Sequence, residues 1–225
     1  MNSFIGPLVR ESTPSIIADK LRQAIAHGEL KPGTQLGEAE LARRLGVSRG
    51  PLREGMQRLT QEGLLVAIRN RGLFVIDITP DDVRDMYLAR EAIERAAMAK
   101  ILEGDHAAAG DELLLIADQM AAADSPAEVS ERDIAFHERL LQLAQSPRLS
   151  RMHQTLITET QMCIHALSDS YADSEVRGQE HRALAEGIRK GDRELAERLL
   201  AAHMDDAIRR LVEGTAAEEP KPVDS

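Results

Sequence analysis

The chain has 225 residues, 43% of them hydrophobic and 29% charged, which is typical of a globular protein and not of a disordered one. Two Tyr, three Phe and no Trp predict an aliphatic core and argue against a single-stranded nucleic-acid platform, where bases stack on aromatic rings. A single cysteine, Cys163, excludes an internal disulfide and a multi-cysteine zinc finger. No apolar run approaches the roughly 20 residues that span a bilayer, and the N-terminus lacks the apolar region of a signal peptide. We therefore expect a protein of the reducing cytoplasm with no membrane partner.

The charge is distributed unevenly along the chain. Residues 1–78 hold 11 Lys+Arg and 8 Asp+Glu, a net charge of +3, whereas the remainder holds 17 and 30, a net charge of −13. A basic head on an acidic body predicts two domains with different partners. We place them at 1–78 and 79–213, and expect residues 214–225, with two prolines and several charges, to be a disordered tail.

The elements predicted for the first domain follow the order of a winged helix-turn-helix. Thr13-Pro14 is read as a cap and first-turn proline, opening a helix that runs to His27 and stops at Gly28. A short helix covers 38–45 and is closed by Gly46, and a third runs from a cap at Ser48 to Glu62. Strands at 65–69 and 73–77 flank the turn Asn70-Arg71-Gly72.

The third helix carries the candidate DNA contacts. Leu52, Met56 and Leu59 share one face and are predicted to point inward, while Arg49 and Arg53 share another. The arginine fork matches O6 and N7 of guanine, and the first turn of such a helix can present side chains to base edges in the major groove. The alternative is that both arginines only solvate an exposed helix face. The candidate DNA-binding residues are Ser48, Arg49, Gly50 and Arg53 on the helix, with Arg71 and Gly72 on the wing.

This domain resembles the DNA-binding domain of the GntR family of bacterial transcription regulators. The resemblance rests on GELKPGTQL at 28–36, ELA at 40–42, GVSRGPLRE at 46–54, Leu59, EGL at 62–64 and Arg71-Gly72. It implies that Arg49 and Arg53 contact operator bases and that the wing enters the minor groove. Many members carry a basic residue where this chain has Ala39, so the resemblance also implies that one DNA contact is missing here.

The second domain is predicted to be all helical. Thr79-Pro80-Asp81-Asp82 opens a helix to about Leu102 with a cap, a proline and two acids against the helix dipole. Five more helices are expected at about 107–123, 127–145, 148–168, 175–190 and 192–213, separated by breaks such as Ser146-Pro147, Ser168-Asp169-Ser170 and Gly191-Asp192. The predicted fold class is mainly α: an N-terminal winged helix-turn-helix and a C-terminal all-α bundle of about six helices.

Four polar residues continue the apolar faces of these helices. Asp133 and His137 precede Leu140, Leu141 and Ala144 on one stripe, His181 aligns with Leu184 and Ile188, and His203 aligns with Leu200 and Leu211. A buried, unpaired carboxylate is costly, and a divalent metal would satisfy all four groups. Imidazole with carboxylate suits Zn, Ni, Fe or Mn, and four ligands leave one or two positions open. The alternative is an Asp-x3-His hydrogen bond within one helix and two ordinary core histidines.

The second domain resembles the FCD effector domain of the FadR subfamily of GntR regulators. The resemblance rests on Arg90-x3-Glu94, Asp133-x2-Phe136-His137, Glu180-His181 and His203. In the metal-binding branch of that subfamily, the resemblance implies that Asp133, His137, His181 and His203 ligate a divalent metal. It also implies that a small carboxylic acid completes the coordination.

Other titratable residues are assigned less specific roles. Arg90 lies on an inward stripe and is either a clamp for an effector carboxylate or the partner of Glu94 in an ion pair, with neither preferred. His153 and His165 are expected in the core or on the surface, His27 and His106 as structural or exposed residues, and Cys163 in buried packing.

These patterns predict a ligand-responsive transcription repressor that binds an inverted-repeat DNA operator as a homodimer and responds to a small carboxylate at its metal site. One rival is a regulator for which the metal itself is the signal. The other is a metal-dependent enzyme acting on hydroxy acids, against which the winged helix argues.

Overall fold

The structure, a computed structural model, describes residues 12–166 and 174–217. The chain divides into two compact units between Asp77 and Ile78. Within the described residues, no helix is both long and apolar enough to cross a membrane.

The first unit is a winged helix. It consists of α1 (Thr13–Ala26), β1 (Gln35–Leu36), α2 (Glu38–Leu45), α3 (Arg49–Gln61), β2 (Leu65–Ile68) and β3 (Gly72–Val75). As predicted, Leu52, Met56 and Leu59 of α3 are buried. Gly46 ends α2 in the left-handed conformation at φ 65°, which glycine adopts without steric cost.

The three strands form one antiparallel sheet in the order β1-β3-β2. Leu65 pairs with Val75 and Ile68 with Gly72, which closes the hairpin around Arg69-Asn70-Arg71. Gly72, predicted in the turn, is instead the first residue of β3. Gln35 of β1 pairs with Phe74. The sequence did not reveal β1, because a strand of two residues has no measurable alternation of polar and apolar side chains.

The second unit is a helical bundle, and the predicted fold class is confirmed. Within its described residues the six helices are α4 (Pro80–Leu102), α5 (His106–Ala121), α6 (Pro126–Leu143), α7 (Pro147–Ala166), α8 (Ser174–Arg189) and α9 (Arg193–Ala217). Thr79 begins α4 with a reciprocal capping box: the Asp82 N–H donates to Thr79 Oγ1 at 3.2 Å, and the Thr79 N–H donates to Asp82 Oδ2 at 2.8 Å.

Two details of the predicted boundaries are wrong. The first helix is capped one residue earlier than expected, by Ser12, whose Oγ accepts from the N–H of Ser15 at 3.4 Å. The expected tail at 214–225 begins too early, because α9 continues through Gly214 to Ala217. Alanines at 216 and 217 favour the helix enough to carry it past a single glycine. The predicted break at Ser168-Asp169-Ser170, the side chain of His165 and the tail from 218 lie outside the described residues.

Candidate DNA-binding surface and metal centre

The candidate DNA contacts are all exposed on the first unit. Ser48 takes the cap position of α3 without a side-chain cap hydrogen bond, and Arg49, Gly50 and Arg53 lie on the first two turns of that helix with open access to solvent. Arg71 and Gly72 lie on the β2–β3 hairpin that follows α3, and both are exposed. Ala39, also exposed, lies in the first turn of α2.

Two contacts fix the shape of the wing. The Gln35 side-chain amide donates to the Arg71 carbonyl at 2.5 Å, which ties the hairpin turn to β1. The Arg71 guanidinium lies over the Phe74 ring, 5.4 Å from its centroid, in a cation–π contact. The backbone of Gly72 has φ 107°, a conformation that side-chain-bearing residues rarely adopt. The wing therefore presents Arg71 on a constrained turn.

The four predicted metal ligands come together inside the second unit. Asp133 and His137 belong to α6, His181 to α8 and His203 to α9, and all four are buried. One potential ligand atom from each lies within 4.8 Å of those of the other three. The Nε2 atoms of His137 and His203 are 3.1 Å apart, and those of His181 and His137 are 3.3 Å apart. Three imidazoles and one carboxylate thus converge on a common point.

The outer nitrogens of the imidazoles determine what the inner nitrogens can do. Nδ1 of His137 lies 2.7 Å from Glu94 Oε2, and Nδ1 of His181 lies 2.9 Å from the Arg177 carbonyl. Carboxylates and carbonyls only accept hydrogen bonds, so each Nδ1 must carry the proton. Each neutral ring then directs a lone pair from Nε2 toward the cluster. His203 has a similar but longer contact, with Nδ1 3.8 Å from Glu180 Oε2.

The protein alone does not satisfy this cluster. Oδ1 of Asp133 is buried and accepts no hydrogen bond from the residues that the structure describes, although it lies 3.3 Å from Nε2 of His181. Lone pairs that face one another at such distances repel, and an uncompensated buried carboxylate is costly. A cation among them removes both problems. The donor set, three imidazole nitrogens and one carboxylate oxygen, therefore fits a divalent transition metal, and the buried cluster could hold one.

The electrostatics keep the ligands in the protonation states that bind metals. Burial and the nearby Arg90 guanidinium lower the pKa of His137 to about 3, and burial lowers the pKa of His203. Neutral imidazoles and an ionised carboxylate are the ligand forms that a metal requires.

Glu94 connects the cluster to two other buried side chains. Its carboxylate accepts from Arg90 Nε at 2.7 Å, from His137 Nδ1 at 2.7 Å and from His153 Nε2 at 3.0 Å. His153 is therefore a core residue with a hydrogen-bond partner; the sequence had left open whether it lies in the core or on the surface. The sequence pattern noted Glu94 only as a neighbour of Arg90, because periodicity along α4 does not reveal which side chains of α6 and α7 meet it.

The structure places Arg90 in the ion pair with Glu94 that the sequence left as one of two alternatives. Arg90 is 1% exposed, lies 5.2 Å from the Tyr87 ring centroid and donates from Nη1 to Thr160 Oγ1 at 3.4 Å. Its Nη2 is buried and has no hydrogen-bond partner in the described structure. The ion pair therefore leaves one donor of the guanidinium unused.

Two other histidines contact main-chain carbonyls. His27 is exposed, with Nδ1 2.8 Å from the Gln23 carbonyl, and His106 contacts the Arg189 carbonyl through Nδ1 at 3.1 Å. Cys163 is buried, and burial raises the pKa of its thiol to about 12, so it packs as an apolar side chain.

A winged helix joined to a helical unit with a buried ligand cluster defines a DNA-binding transcription regulator. The family described as bacterial regulatory proteins, gntR family, matches residues 15–75, and the FCD domain matches residues 85–206. The chain belongs to the GntR family of transcription regulators and carries an FCD domain. It is a transcription regulator, as the winged helix predicted.

Known relatives support this assignment over most of the chain. The HTH-type transcriptional regulator YdhC of Bacillus subtilis (strain 168) is 27% identical over 197 residues, covering 83% of this chain and 85% of that one. The HTH-type transcriptional repressor RspR of Escherichia coli (strain K12) is 28% identical over 192 residues, covering 83% of each. The crystal structure of a GntR transcriptional regulator from Rhodococcus sp. RHA1 has a TM-score of 0.76 at 28% identity, covering 90% of this chain and 99% of that one. E. coli McbR/YncC shares the fold, with a TM-score of 0.78 at 21% identity over 92% of this chain and 100% of that one.

Proposed function

We propose that the protein is a repressor that binds an inverted-repeat operator as a homodimer and responds to a small carboxylate at a metal site. The observation that supports it most strongly is the buried convergence of Asp133, His137, His181 and His203 within a GntR-family regulator. Since these residues would hold a divalent transition metal (Zn, Ni, Fe or Mn), the protein would belong to the metal-binding branch of the FadR subfamily. A bound divalent ion would supply positive charge and directional bonds.

Arg90 supplies the second half of the proposed effector site. Its unused Nη2 is a charged donor, and Glu94 links the same guanidinium to the ligand His137. A carboxylate offers two acceptor oxygens, and charge-assisted hydrogen bonds to arginine are among the stronger ones in proteins. The class of effector that fits is therefore a short acid with a carboxylate and a hydroxyl or keto oxygen beside it.

The DNA contacts follow from the exposed face of α3 and the wing. In this proposal Arg49 and Arg53, with Ser48 and Gly50 beside them, read bases in the major groove, and Arg71 and Gly72 follow the backbone or minor groove. Two copies of the domain read an inverted repeat because its two halves are related by twofold symmetry.

Metal analysis of the full chain tests the site. Protein purified without chelator or acid should contain about one divalent ion per chain, and chelation should lower its melting temperature, because the metal binds only the folded site. Asp133→Ala and His203→Ala should each lose most of the metal, whereas His27→Ala, which removes an exposed imidazole, should retain it. Metal-free protein from such a preparation, or equal metal content in all four proteins, would refute the assignment.

Measurements of operator affinity on the same protein distinguish a regulator that responds to an organic effector from one that senses the metal itself. If the metal is the signal, operator affinity should follow free metal concentration with no organic acid present. In the proposed mechanism, metal alone leaves operator affinity nearly unchanged and the addition of the acid changes it.

A further inference from the structure

The exposed face of α3, the helix that carries the candidate base contacts, forms an ion pair with α2. Nε of Arg53 donates to Glu38 Oε2 at 2.7 Å, and the two side chains are 64% and 39% exposed. Glu38 is the first residue of α2. In the part of the chain that the structure describes, neither Arg49 nor Arg71 forms a comparable ion pair.

This pair contributes little to holding the fold together. Exposed ion pairs stabilise proteins only slightly, because solvent and salt screen them. The buried side chains Leu41 and Ala42 of α2 and Leu52 of α3 already anchor the two helices in the core. An exposed pair between an acidic residue and a candidate base-reading arginine therefore calls for a role in DNA binding.

We propose that Glu38 is a positioning residue that sets the orientation in which Arg53 reads a base. The inference rests on the proposed contact between Arg53 and operator DNA. Glu38 accepts from Nε of the guanidinium, and among the described residues no hydrogen bond occupies the terminal nitrogens Nη1 and Nη2. Those two nitrogens form the fork that meets O6 and N7 of guanine together. Without Glu38, the long side chain would also sample poses that use Nε or that reach a phosphate.

The charge of Glu38 adds a second effect of the same sign. A carboxylate beside Arg53 cancels much of the local positive charge and so weakens the attraction to DNA phosphates. Phosphate contacts carry no sequence information. A bidentate base contact depends mainly on hydrogen-bond geometry, so the Glu38 charge weakens it less than it weakens the phosphate contacts. Glu38 therefore lowers affinity for non-cognate DNA more than affinity for the cognate sequence, which widens the difference between them.

The test begins with selection of a binding sequence from a random 40-bp duplex pool by the wild-type full chain. Affinity is then measured for the selected duplex and for a scrambled duplex of equal composition. Glu38→Ala should weaken binding to the selected duplex by about 5- to 10-fold, as expected when one base contact is misplaced. Binding to the scrambled duplex should stay equal or strengthen, with a salt dependence steeper by about one counterion. Glu38→Gln keeps an acceptor for Nε and should restore most of the selectivity.

Glu40→Ala is the matched control. Glu40 is exposed on the same first turn of α2, carries the same charge and forms no recorded ion pair in the described structure. A selection repeated with Glu38→Ala should show relaxed preference at one position per half-site. In an Arg53→Ala background, Glu38→Ala should cause no further loss of affinity for the selected duplex.

The outcomes separate the inference from the proposed function. If Glu38→Ala and Glu40→Ala behave alike, or if Glu38→Ala remains harmful without Arg53, Glu38 acts through general charge or helix stability and the inference is wrong. If the wild-type chain enriches no sequence, or if Arg53→Ala binds the selected duplex normally, the assignment of Arg53 to base reading fails as well. Melting curves of each variant show whether the fold is intact.

Discussion

The Glu94 carboxylate accepts three hydrogen bonds from charged or polar side chains in the interior of the second unit. Burial raises the pKa of such a group, but His137 and Arg90 outweigh that effect and hold it well below its ordinary value. Glu94 is therefore ionised. It fixes the tautomer of the ligand His137 and compensates the buried charge of Arg90.

Glu94→Gln should weaken metal binding by about 10- to 100-fold, which is the usual effect of losing the partner that orients a ligand histidine. The amide nitrogen of glutamine would face one of the N–H groups that now donate to Glu94, and the Arg90 guanidinium would lose its countercharge. Competition with a calibrated chelator measures the affinity. Glu91→Gln, one turn earlier on α4 at a side chain that is 25% exposed, is the control. Equal metal affinity in Glu94→Gln and wild type would mean that helix packing alone orients His137.

Glu159 gives the stability of the second unit a distinct dependence on pH. Burial and, to a lesser degree, the Asp82 carboxylate raise the pKa of Glu159 to about 7. Because the folded state holds this proton more tightly than the unfolded state does, stability decreases as pH rises from about 4.5 to about 7.

Glu159→Gln removes this ionisation and should therefore stabilise the protein at high pH only. We expect a gain of about 1 kcal/mol at pH 8, reduced for partial solvent exposure of the carboxyl, and none at pH 4.5. Urea unfolding of chelated protein at both pH values measures it, with the exposed Glu131→Gln as the control. A gain of equal size at both pH values would show that the effect is packing and not ionisation.

The sequence predicted the ligand cluster because its members lie on apolar stripes, a property of each helix alone. The partners of those ligands were not predictable in the same way. Glu94 lies on α4, His153 on α7 and Glu38 on α2, and their contacts depend on how helices pack across 15 or more residues of sequence. A periodic pattern identifies the face that a residue occupies but not the neighbour it meets.

At the scale of elements, α5 and α8 approach each other closely at two glycines. A Cβ atom added to Gly110 would lie 2.6 Å from Arg189 Cα and 2.7 Å from its backbone nitrogen. One added to Gly178 would lie 2.7 Å from Ala121 Cα. Two glycines at opposite ends of the pair therefore allow the helix backbones to touch, and α8 carries the ligand His181.

Gly110→Ala should destabilise the protein by about 1–3 kcal/mol, because the added methyl meets backbone atoms that cannot move aside alone. Alanine otherwise favours a helix over glycine, so a loss would identify the close contact as its cause. Gly104→Ala is the control, since its nearest atom, the Ile101 carbonyl oxygen, is 3.7 Å from the added Cβ. Urea midpoints compare the two, and an unchanged or higher midpoint for Gly110→Ala would show that α5 and α8 can separate without cost.

Helix boundaries in this chain were predictable where capping chemistry is local. Thr79 with Pro80 and Asp82 marks a helix start that the structure confirms. The start of α1 was missed by one residue because Ser12 and Thr13 are both good caps, and the flanking backbone decides between them. The end of α9 was missed because glycine marks a stop only when the following residues do not favour the helix.

At the scale of the whole molecule, the proposal requires that metal, effector and operator affect one another's binding. Linkage makes such effects reciprocal: if the effector weakens operator binding by a given factor, the operator weakens effector binding by the same factor. A ligand shifts the equilibrium only by its different affinity for the two states, and couplings of this kind are about 1–3 kcal/mol.

The final prediction measures this cycle directly. A short 2-hydroxy or 2-oxo acid that binds the metal-loaded protein should change affinity for the selected duplex by about 5- to 150-fold. Calorimetric titration of the same acid into the protein–DNA complex should show a dissociation constant changed by that same factor. Chelated protein should bind the acid much more weakly. Arg90→Lys, which keeps the charge but loses the fork, should weaken binding of the acid and leave the metal in place. An acid that changes operator affinity but binds equally well to chelated protein would show that the metal is only structural, because the effector would then gain nothing from the charge that the cluster holds.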